Sequence, residues 1–277
     1  MNSARRRFSP DATKDDVLEY ARETPLVCAT IFAKNKTEFL RKAARGASLG
    51  CDLVELRIDH LTKKEPSVVG DIIQNSLLPL IVTIRSERDG GLFPKFEESA
   101  RLSLLNSSLE NTPTLIDIEF DLRKKERSKL LNDARKQGVG VICSHHDFNS
   151  TPPSASILSR GRAISEFGAD IAKQAYMVRN QNDASRIIEG AEAQNLDKKM
   201  FTTFGMGHRG RLTRLQTLFS GSCLIYCSID DSENRLGQIG VKFARKYIDS
   251  LKSYEFPISG KGRKEFLKVL RGSRRGV

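Results

Sequence analysis

The sequence predicts an α/β fold of the (β/α)₈ (TIM) barrel type, as a single domain with an N-terminal and a basic C-terminal extension. Three observations predict it. Eight short apolar runs rich in β-branched residues alternate with eight amphipathic segments of helical period, and together they span about 225 residues, close to the roughly 250 typical of such barrels. No apolar run reaches the roughly 18 residues that a membrane span needs, so the chain is expected to have no membrane partner.

The predicted strands are short, mainly apolar runs, as is typical of parallel strands covered by helices. They cover residues 26–32, 53–58, 80–84, 115–118, 139–143, 170–175, 200–204 and 222–228. The predicted helices cover residues 36–48, 68–76, 97–109, 126–136, 154–167, 183–193, 211–219 and 238–251. A doubly wound open sheet is the alternative, but no Gly-x-Gly-x-x-Gly motif follows the first strand.

The charge is concentrated at one end of the 277 residues. The net charge is +12, and residues 252–277 contain eight lysines and arginines against two glutamates, whereas the charges of residues 1–24 cancel. We therefore divide the chain into an N-terminal extension (1–24), a catalytic barrel (25–251) and a basic C-terminal extension (252–277). Residues 11–16 are expected to cap a short helix that runs through Glu23.

The cysteines indicate a reducing compartment. Their number is odd and they lie in apolar runs, which is typical of buried, reduced thiols: Cys28, Cys51, Cys143, Cys223 and Cys227. The basic N-terminal residues are not followed by the apolar region of a secretory signal. The predicted location is therefore cytoplasmic.

Several predicted strands have charged or polar residues at alternate positions near their carboxyl ends. In the second strand, Glu55, Arg57 and Asp59 share one face. The same pattern recurs in other strands: Thr83 with Arg85, Asp117 with Glu119, and Ser144 with His146. In a barrel this face points inward, at the mouth where barrel enzymes have their active sites.

Lys173 lies between Ile171 and Ala175 on the inward face of the sixth strand. Burial and repulsion from arginines such as Arg57 and Arg85 are expected to disfavour its ammonium form. A neutral amine condenses with a ketone or aldehyde to an iminium, which draws electrons from the adjacent carbon. The structural alternative is a lysine paired with a carboxylate for barrel packing.

A histidine is the default acid–base partner near neutral pH. His145 and His146 end the fifth strand, and only one of them can enter the barrel because adjacent strand residues face opposite ways. No His-x-x-x-His or Cys-x-x-Cys completes a metal site, so no metal is expected.

Taken together, these motifs resemble type I 3-dehydroquinate dehydratase. The resemblance runs from about Leu26 to Leu251 and rests on Glu55-Leu-Arg-Ile-Asp59, Thr83-Ile-Arg-Ser86, Asp117-Ile-Glu119, Ser144-His-His-Asp-Phe148, Gly168-Ala-Asp-Ile-Ala-Lys173 and Gly237-Gln-Ile239. It implies a (β/α)₈ hydro-lyase, usually homodimeric, that converts 3-dehydroquinate to 3-dehydroshikimate. This is the third step of the shikimate pathway of aromatic amino acid biosynthesis, and the family uses neither metal nor organic cofactor.

The resemblance also implies roles for individual residues. Lys173 matches the lysine that forms a Schiff base with the C3 ketone, and His146 matches the base that takes a C2 proton and helps to expel the C1 hydroxyl. Asp89 stands where the family usually has a glutamate that orients this histidine. The implied substrate-binding residues are Thr30, Glu55, Arg57, Arg85, Arg214 and Gln238, of which Arg214 and Gln238 would hold the carboxylate.

The chain departs from the family pattern in two places. Asp89 is one methylene shorter than glutamate, so its hydrogen bond to the histidine is expected to lengthen or to pass through water. The loop before Gln238 reads Asn234-Arg-Leu-Gly237, where the family usually has Ala-Pro-Gly. A bulkier, more charged loop is expected to alter closure of the site.

Two other functions remain open from the residues alone. A lysine on the sixth strand also fits another Schiff-base barrel, a lyase or aldolase acting on a small keto acid. Alternatively, a degenerate paralogue could bind nucleic acid through the basic cluster of residues 261–275, in a salt-sensitive and sequence-independent manner. The sequence has no recognised nucleic-acid motif and no tryptophan, so a solvated tail is the favoured interpretation.

Overall fold

The computed structural model describes residues 7–230 and 236–253, with side chains described up to residue 250. The strands are β1 (Leu26–Ile31), β2 (Leu53–Arg57), β3 (Leu80–Thr83), β4 (Leu115–Glu119), β5 (Gly140–Asp147), β6 (Ile171–Met177), β7 (Phe201–Met206), β8 (Leu224–Ser228) and β9 (Ile239–Gly240). The helices are α1 (Lys14–Glu23), α2 (Lys36–Leu49), α3 (Pro66–Gln74), α4 (Glu98–Ser108), α5 (Lys124–Lys136), α6 (Ser154–Phe167), α7 (Gln181–Asn195), α8 (Thr213–Phe219) and α9 (Val241–Ser253). The predicted alternation is confirmed, since β1 to β8 and α2 to α9 correspond to the eight predicted strands and eight predicted helices, while α1 and β9 are additional to them.

The strands form one curled parallel sheet in the order β7-β6-β5-β4-β3-β2-β1-β8-β9. The curl brings β7 next to β8, where the Cys223 N–H donates to the Phe201 carbonyl over 2.9 Å. The Thr202 hydroxyl donates to the Leu224 carbonyl over 2.7 Å at the same junction. The sheet therefore returns on itself as a barrel, and successive residues of each strand face the interior and the helices in turn.

Helix α1 covers the amino ends of the strands. Thr13 and Asp16 form a capping box at its start, which fixes where the helix begins. Val17, Leu18 and Ala21 are buried against an apolar layer inside the barrel. That layer contains Leu26, Leu53, Ile81, Leu115, Ile142, Ile171 and Leu224.

The last strand–helix unit differs from its prediction. A helix was expected from residue 238, but β9 pairs in parallel with β8 before α9 begins at Val241. Gly237 explains the interruption, because it has a φ of +76° and a side chain there would meet the Gly207 carbonyl oxygen at 2.3 Å. Gln238 consequently lies at the mouth of the barrel and not on a helix.

The boundaries of the two extensions stay a prediction, since residues 1–6 and 254–277 lie outside the described residues. The proposed nucleic-acid cluster of residues 261–275 lies there too. Among the described helices, none is long and apolar enough to cross a membrane. All five cysteines are buried and free, as predicted.

Candidate active site

The carboxyl ends of the strands surround one cavity, and all nine residues proposed from the sequence line it. They are Thr30, Glu55, Arg57, Arg85, Asp89, His146, Lys173, Arg214 and Gln238. Five of them lie on strands, where the period-2 alternation that points their apolar neighbours at the helices points these side chains inward: Thr30, Glu55, Arg57, His146 and Lys173. Arg85 and Asp89 follow β3, Arg214 lies at the start of α8, and Gln238 directly precedes β9. The aromatic and apolar side chains that line the cavity include Phe32, Phe148, Phe204, Met206 and Tyr226.

Lys173 projects from β6 into the middle of the barrel and is 4% exposed. Its Nζ lies 2.9 Å from Asp117 Oδ2 and 3.5 Å from Glu55 Oε1. Its ion-pair partners among the described residues are thus two carboxylates. These contacts hold the amine in one place and leave its buried charge compensated.

Asp117 connects this lysine to Arg85. Its Oδ2 lies 2.8 Å from Arg85 Nη2, and its Oδ1 accepts a 2.6 Å hydrogen bond from the Ser144 hydroxyl. Burial alone would raise the pKa of Asp117, but Arg85 and Lys173 outweigh it and hold that pKa well below its usual range. Asp117 is therefore a fixed negative charge beneath the cavity.

Glu55 is held from three sides. The hydroxyls of Thr30 and Thr83 each donate to its carboxylate over 2.9 Å, in addition to the contact with Lys173. Burial opposes ionisation, yet Lys173 and Arg57 lower the pKa of Glu55. Arg57 in turn donates twice to Asp59, over 2.9 and 2.7 Å.

His146 faces the cavity from the end of β5. Its Nδ1 lies 3.3 Å from Asp89 Oδ2, a long hydrogen bond. Burial, together with the positive charges of Arg85 and Lys173, lowers the pKa of His146 to about 4. Burial would raise the pKa of Asp89, but its bond to His146 and its contact with Arg85 lower it. At neutral pH His146 is therefore an uncharged base beside an ionised carboxylate.

The opposite wall has unused hydrogen-bonding capacity. Arg214 is 4% exposed and forms no ion pair within the described residues; its Nη2 donates to the Leu236 carbonyl over 3.1 Å. Burial lowers the pKa of Arg214 to about 10, so it remains a cation at neutral pH. Gln238 donates to Thr30 over 3.1 Å. Arg214 Nε and Gln238 Oε1 are buried without a partner in the part of the chain described here. The Nε–H donor suits an incoming anion, and the Oε1 acceptor suits an incoming hydroxyl.

No individual role was predicted for three residues of this site: Asp117, Ser144 and Tyr226. Asp117 was part of the alternating pattern on β4, but its contact with Lys173 depends on the register of β4, β5 and β6. Ser144 belonged to the same pattern on β5. Tyr226 gave no signal, because it lies in an otherwise apolar strand. The altered loop at residues 234–236 lies largely outside the described residues, which resume at Leu236.

No group of three or more histidine, cysteine or carboxylate side chains in the described ranges is placed to hold a metal ion. What the arrangement offers is a buried amine, an uncharged imidazole and a cationic wall. An amine of this kind can form an iminium, and the imidazole can then move a proton.

Comparison with known proteins identifies the family. The sequence model described as “Type I 3-dehydroquinase” matches residues 27–255. The chain belongs to this family. A 3-dehydroquinate dehydratase of Methanosarcina mazei is 32% identical over 219 residues, covering 77% of this chain and 90% of the relative. One from Klebsiella pneumoniae is 30% identical over 244 residues, covering 82% and 93%.

Solved structures agree with the family assignment. The type I 3-dehydroquinate dehydratase of Clostridium difficile, determined with covalently modified comenic acid, has a TM-score of 0.77 at 26% identity, covering 83% of this chain and 93% of that one. The Geobacillus kaustophilus 3-dehydroquinate dehydratase has a TM-score of 0.77 at 26% identity, covering 84% and 93%. A 3-hexulose-6-phosphate synthase at 11% identity, with a TM-score of 0.54 and covering 81% and 98%, shares the fold alone.

Proposed function

We propose that the cavity dehydrates 3-dehydroquinate to 3-dehydroshikimate through a Schiff base on Lys173, as the third step of the shikimate pathway. The observation that supports this most directly is a buried lysine that shares a cavity with an uncharged histidine and with an arginine that has no acidic partner among the described residues. Family membership supports it as well, and favours the dehydratase over an aldolase. The covalently modified ligand of the Clostridium difficile relative fits a site that reacts covalently.

The first step joins enzyme and substrate. After losing a proton, Lys173 Nζ adds to the C3 carbonyl carbon to give a carbinolamine, which loses water to form the iminium. The carboxylates of Asp117 and Glu55, 2.9 and 3.5 Å from Nζ, then stabilise the positive charge that stays on this nitrogen.

The second step removes a proton and a hydroxyl. The iminium acidifies C2, and His146 takes the C2 proton, which leaves an enamine. The enamine expels the C1 hydroxyl, to which His146 returns its proton, so that water leaves. Hydrolysis of the remaining iminium releases the product and restores Lys173, and the net change is the loss of one water.

The other residues bind and orient. Arg214 would hold the carboxylate through its unpaired Nε–H, and Gln238 through an N–H of its side-chain amide. Thr30, Glu55, Arg57 and Arg85 would bind hydroxyls and maintain the charge network. Asp89 would orient His146 through the Nδ1 contact. No metal or organic cofactor has a step in this scheme.

Borohydride trapping tests the proposal. Sodium borohydride added with 3-dehydroquinate is expected to inactivate the protein and leave a reduced adduct on Lys173, located by peptide mass spectrometry. Lys173→Ala is expected to abolish both turnover and adduct. Lys42→Ala is a matched control, because Lys42 is buried to a similar degree, at 7% exposed, but lies on α2 outside the cavity. A protein that forms no adduct and no enone absorbance would contradict the proposal.

We further infer a homodimer in the cytoplasm, with small-molecule substrate as its partner. This inference rests on the usual state of the family and on the reduced cysteines. Light scattering coupled to gel filtration measures the mass of the particle. A mass of about 31 kDa would contradict the dimer, since the chain itself is 31.0 kDa.

A further inference from the structure

Tyr226 is a cavity residue to which no role has yet been given. It faces inward from the middle of β8, is 3% exposed, and lines the cavity together with Lys173 and Arg214. The Lys173 Nζ lies over its ring, 3.9 Å from the centroid. This distance is well within the range in which an ammonium is attracted to the face of an aromatic ring.

The hydroxyl of Tyr226 is buried and has no hydrogen-bond partner among the described residues. A second buried tyrosine shows the usual arrangement, since the Tyr176 hydroxyl donates to Gln174 Oε1 over 2.7 Å. Burial and the carboxylates of Glu55 and Asp117 raise the pKa of Tyr226, so the hydroxyl keeps its proton and can donate. A buried donor without a partner is unfavourable unless something else in the working protein bonds to it.

We infer that Tyr226 contacts the substrate: its ring face stabilises the cation on Lys173 Nζ, and its hydroxyl donates a hydrogen bond to an oxygen of the bound substrate. This inference rests on the proposed function and adds a residue to it. The iminium has its positive charge on the same nitrogen that the ring already faces. The substrate brings hydroxyl and carboxylate oxygens, any of which is a better acceptor than the apolar wall.

Two substitutions separate the two parts of the inference. Tyr226→Phe keeps the ring and removes the hydroxyl, so KM for 3-dehydroquinate is expected to rise roughly three- to tenfold with little change in kcat. Tyr226→Leu also removes the ring, so kcat and the rate of borohydride trapping are expected to fall by about a further tenfold. Tyr176→Phe is the matched control. It removes a hydroxyl bonded inside the protein, and is expected to lower Tm and leave KM unchanged.

Melting temperature distinguishes a substrate contact from a structural one. Because the Tyr226 hydroxyl has no partner in the ranges that the structure describes, Tyr226→Phe is expected to keep or raise Tm while KM rises. A lower Tm with unchanged KM would overturn the hydroxyl contact, and equal kcat and trapping rate in the Phe and Leu variants would overturn the role of the ring. These outcomes can be told apart from a failure of the proposed function, because in that case the unsubstituted protein would form no borohydride adduct.

Discussion

His145 and His146 are neighbours on β5, and each has an aspartate as its partner, yet they occupy very different surroundings. His145 faces outward at the rim, where its Nδ1 lies 2.6 Å from Asp121 Oδ2 and Arg160 contacts the same carboxylate. His146 faces the cavity, and its bond to Asp89 is longer, at 3.3 Å. The tighter pair is thus the one outside the cavity.

The difference shows that a short His–Asp distance does not by itself mark a catalytic base. The two side chains are about equally exposed, at 13% and 10%. What distinguishes His146 is that it faces the cavity, where desolvation and the positive charges of Arg85 and Lys173 lower its pKa to about 4. Desolvation and cationic neighbours, and not the strength of the aspartate contact, make it available to accept a proton at neutral pH.

The largest expected effect comes from removing each histidine in turn. His146→Ala is expected to lower kcat by about 10²- to 10⁴-fold, because proton transfer loses its base. His145→Ala, the matched control, is expected to stay within about twofold, as is usual for a change at the rim. Steady-state kinetics measure both. Since Lys173 is intact, borohydride should still trap an adduct in His146→Ala. Equal losses of kcat in His146→Ala and His145→Ala would contradict the assignment of the base to His146.

A change of pH is expected to have an intermediate effect on kcat/KM and on the free energy of unfolding. The kcat/KM is expected to be flat through pH 6.5 and to fall only as His146 protonates near pH 4. In the unfolded chain a histidine titrates near 6.5, so between about 6.5 and 4 the unfolded state binds more protons and the free energy of unfolding falls as pH falls. A pH profile of kcat/KM and urea unfolding at several pH values check this. His146→Ala should lose less stability over that window, and an activity midpoint near 6.5 would contradict the assignment.

The smallest effect is expected from lengthening Asp89. Asp89→Glu adds one methylene, which can shorten the 3.3 Å contact with His146, so kcat is expected to stay equal or to rise by up to about threefold. Asp121→Glu makes the same change in the outer pair and is expected to leave kcat unchanged. A tenfold loss in Asp89→Glu would show that the shorter side chain is required.

The fold could be predicted from the sequence because each strand and helix has its own periodicity. The same holds for the inward residues of β2 and β6, whose charges interrupt apolar strands. Gln238 was placed wrongly by the sequence, because the helical pattern extended over it. In the structure Gly237 has a positive φ, and Gln238 directly precedes β9. The turn at Gly237 also approaches the Gly207 carbonyl closely, and no local sequence pattern contains that distant residue.

The site was less accessible to prediction where partners come from different strands. The pairing of Lys173 with Asp117 depends on the stagger between β4, β5 and β6, in which Glu119 is opposite Ser144 and Ser144 is opposite Lys173. Sequence spacing does not give this stagger. Tyr226 could not be predicted as a cavity residue for another reason, because a tyrosine in a buried strand is ordinarily a core residue.

Helix α1 affects how substrate enters the barrel and how product leaves it. Its apolar face covers the amino ends of the strands over the layer of Leu26, Leu53 and Ile81, and the cavity lies at their carboxyl ends. Substrate and product then use the same opening. Accumulated product would occupy the cavity in competition with fresh substrate, and the rate of the forward reaction would depend on how quickly a later enzyme consumes it.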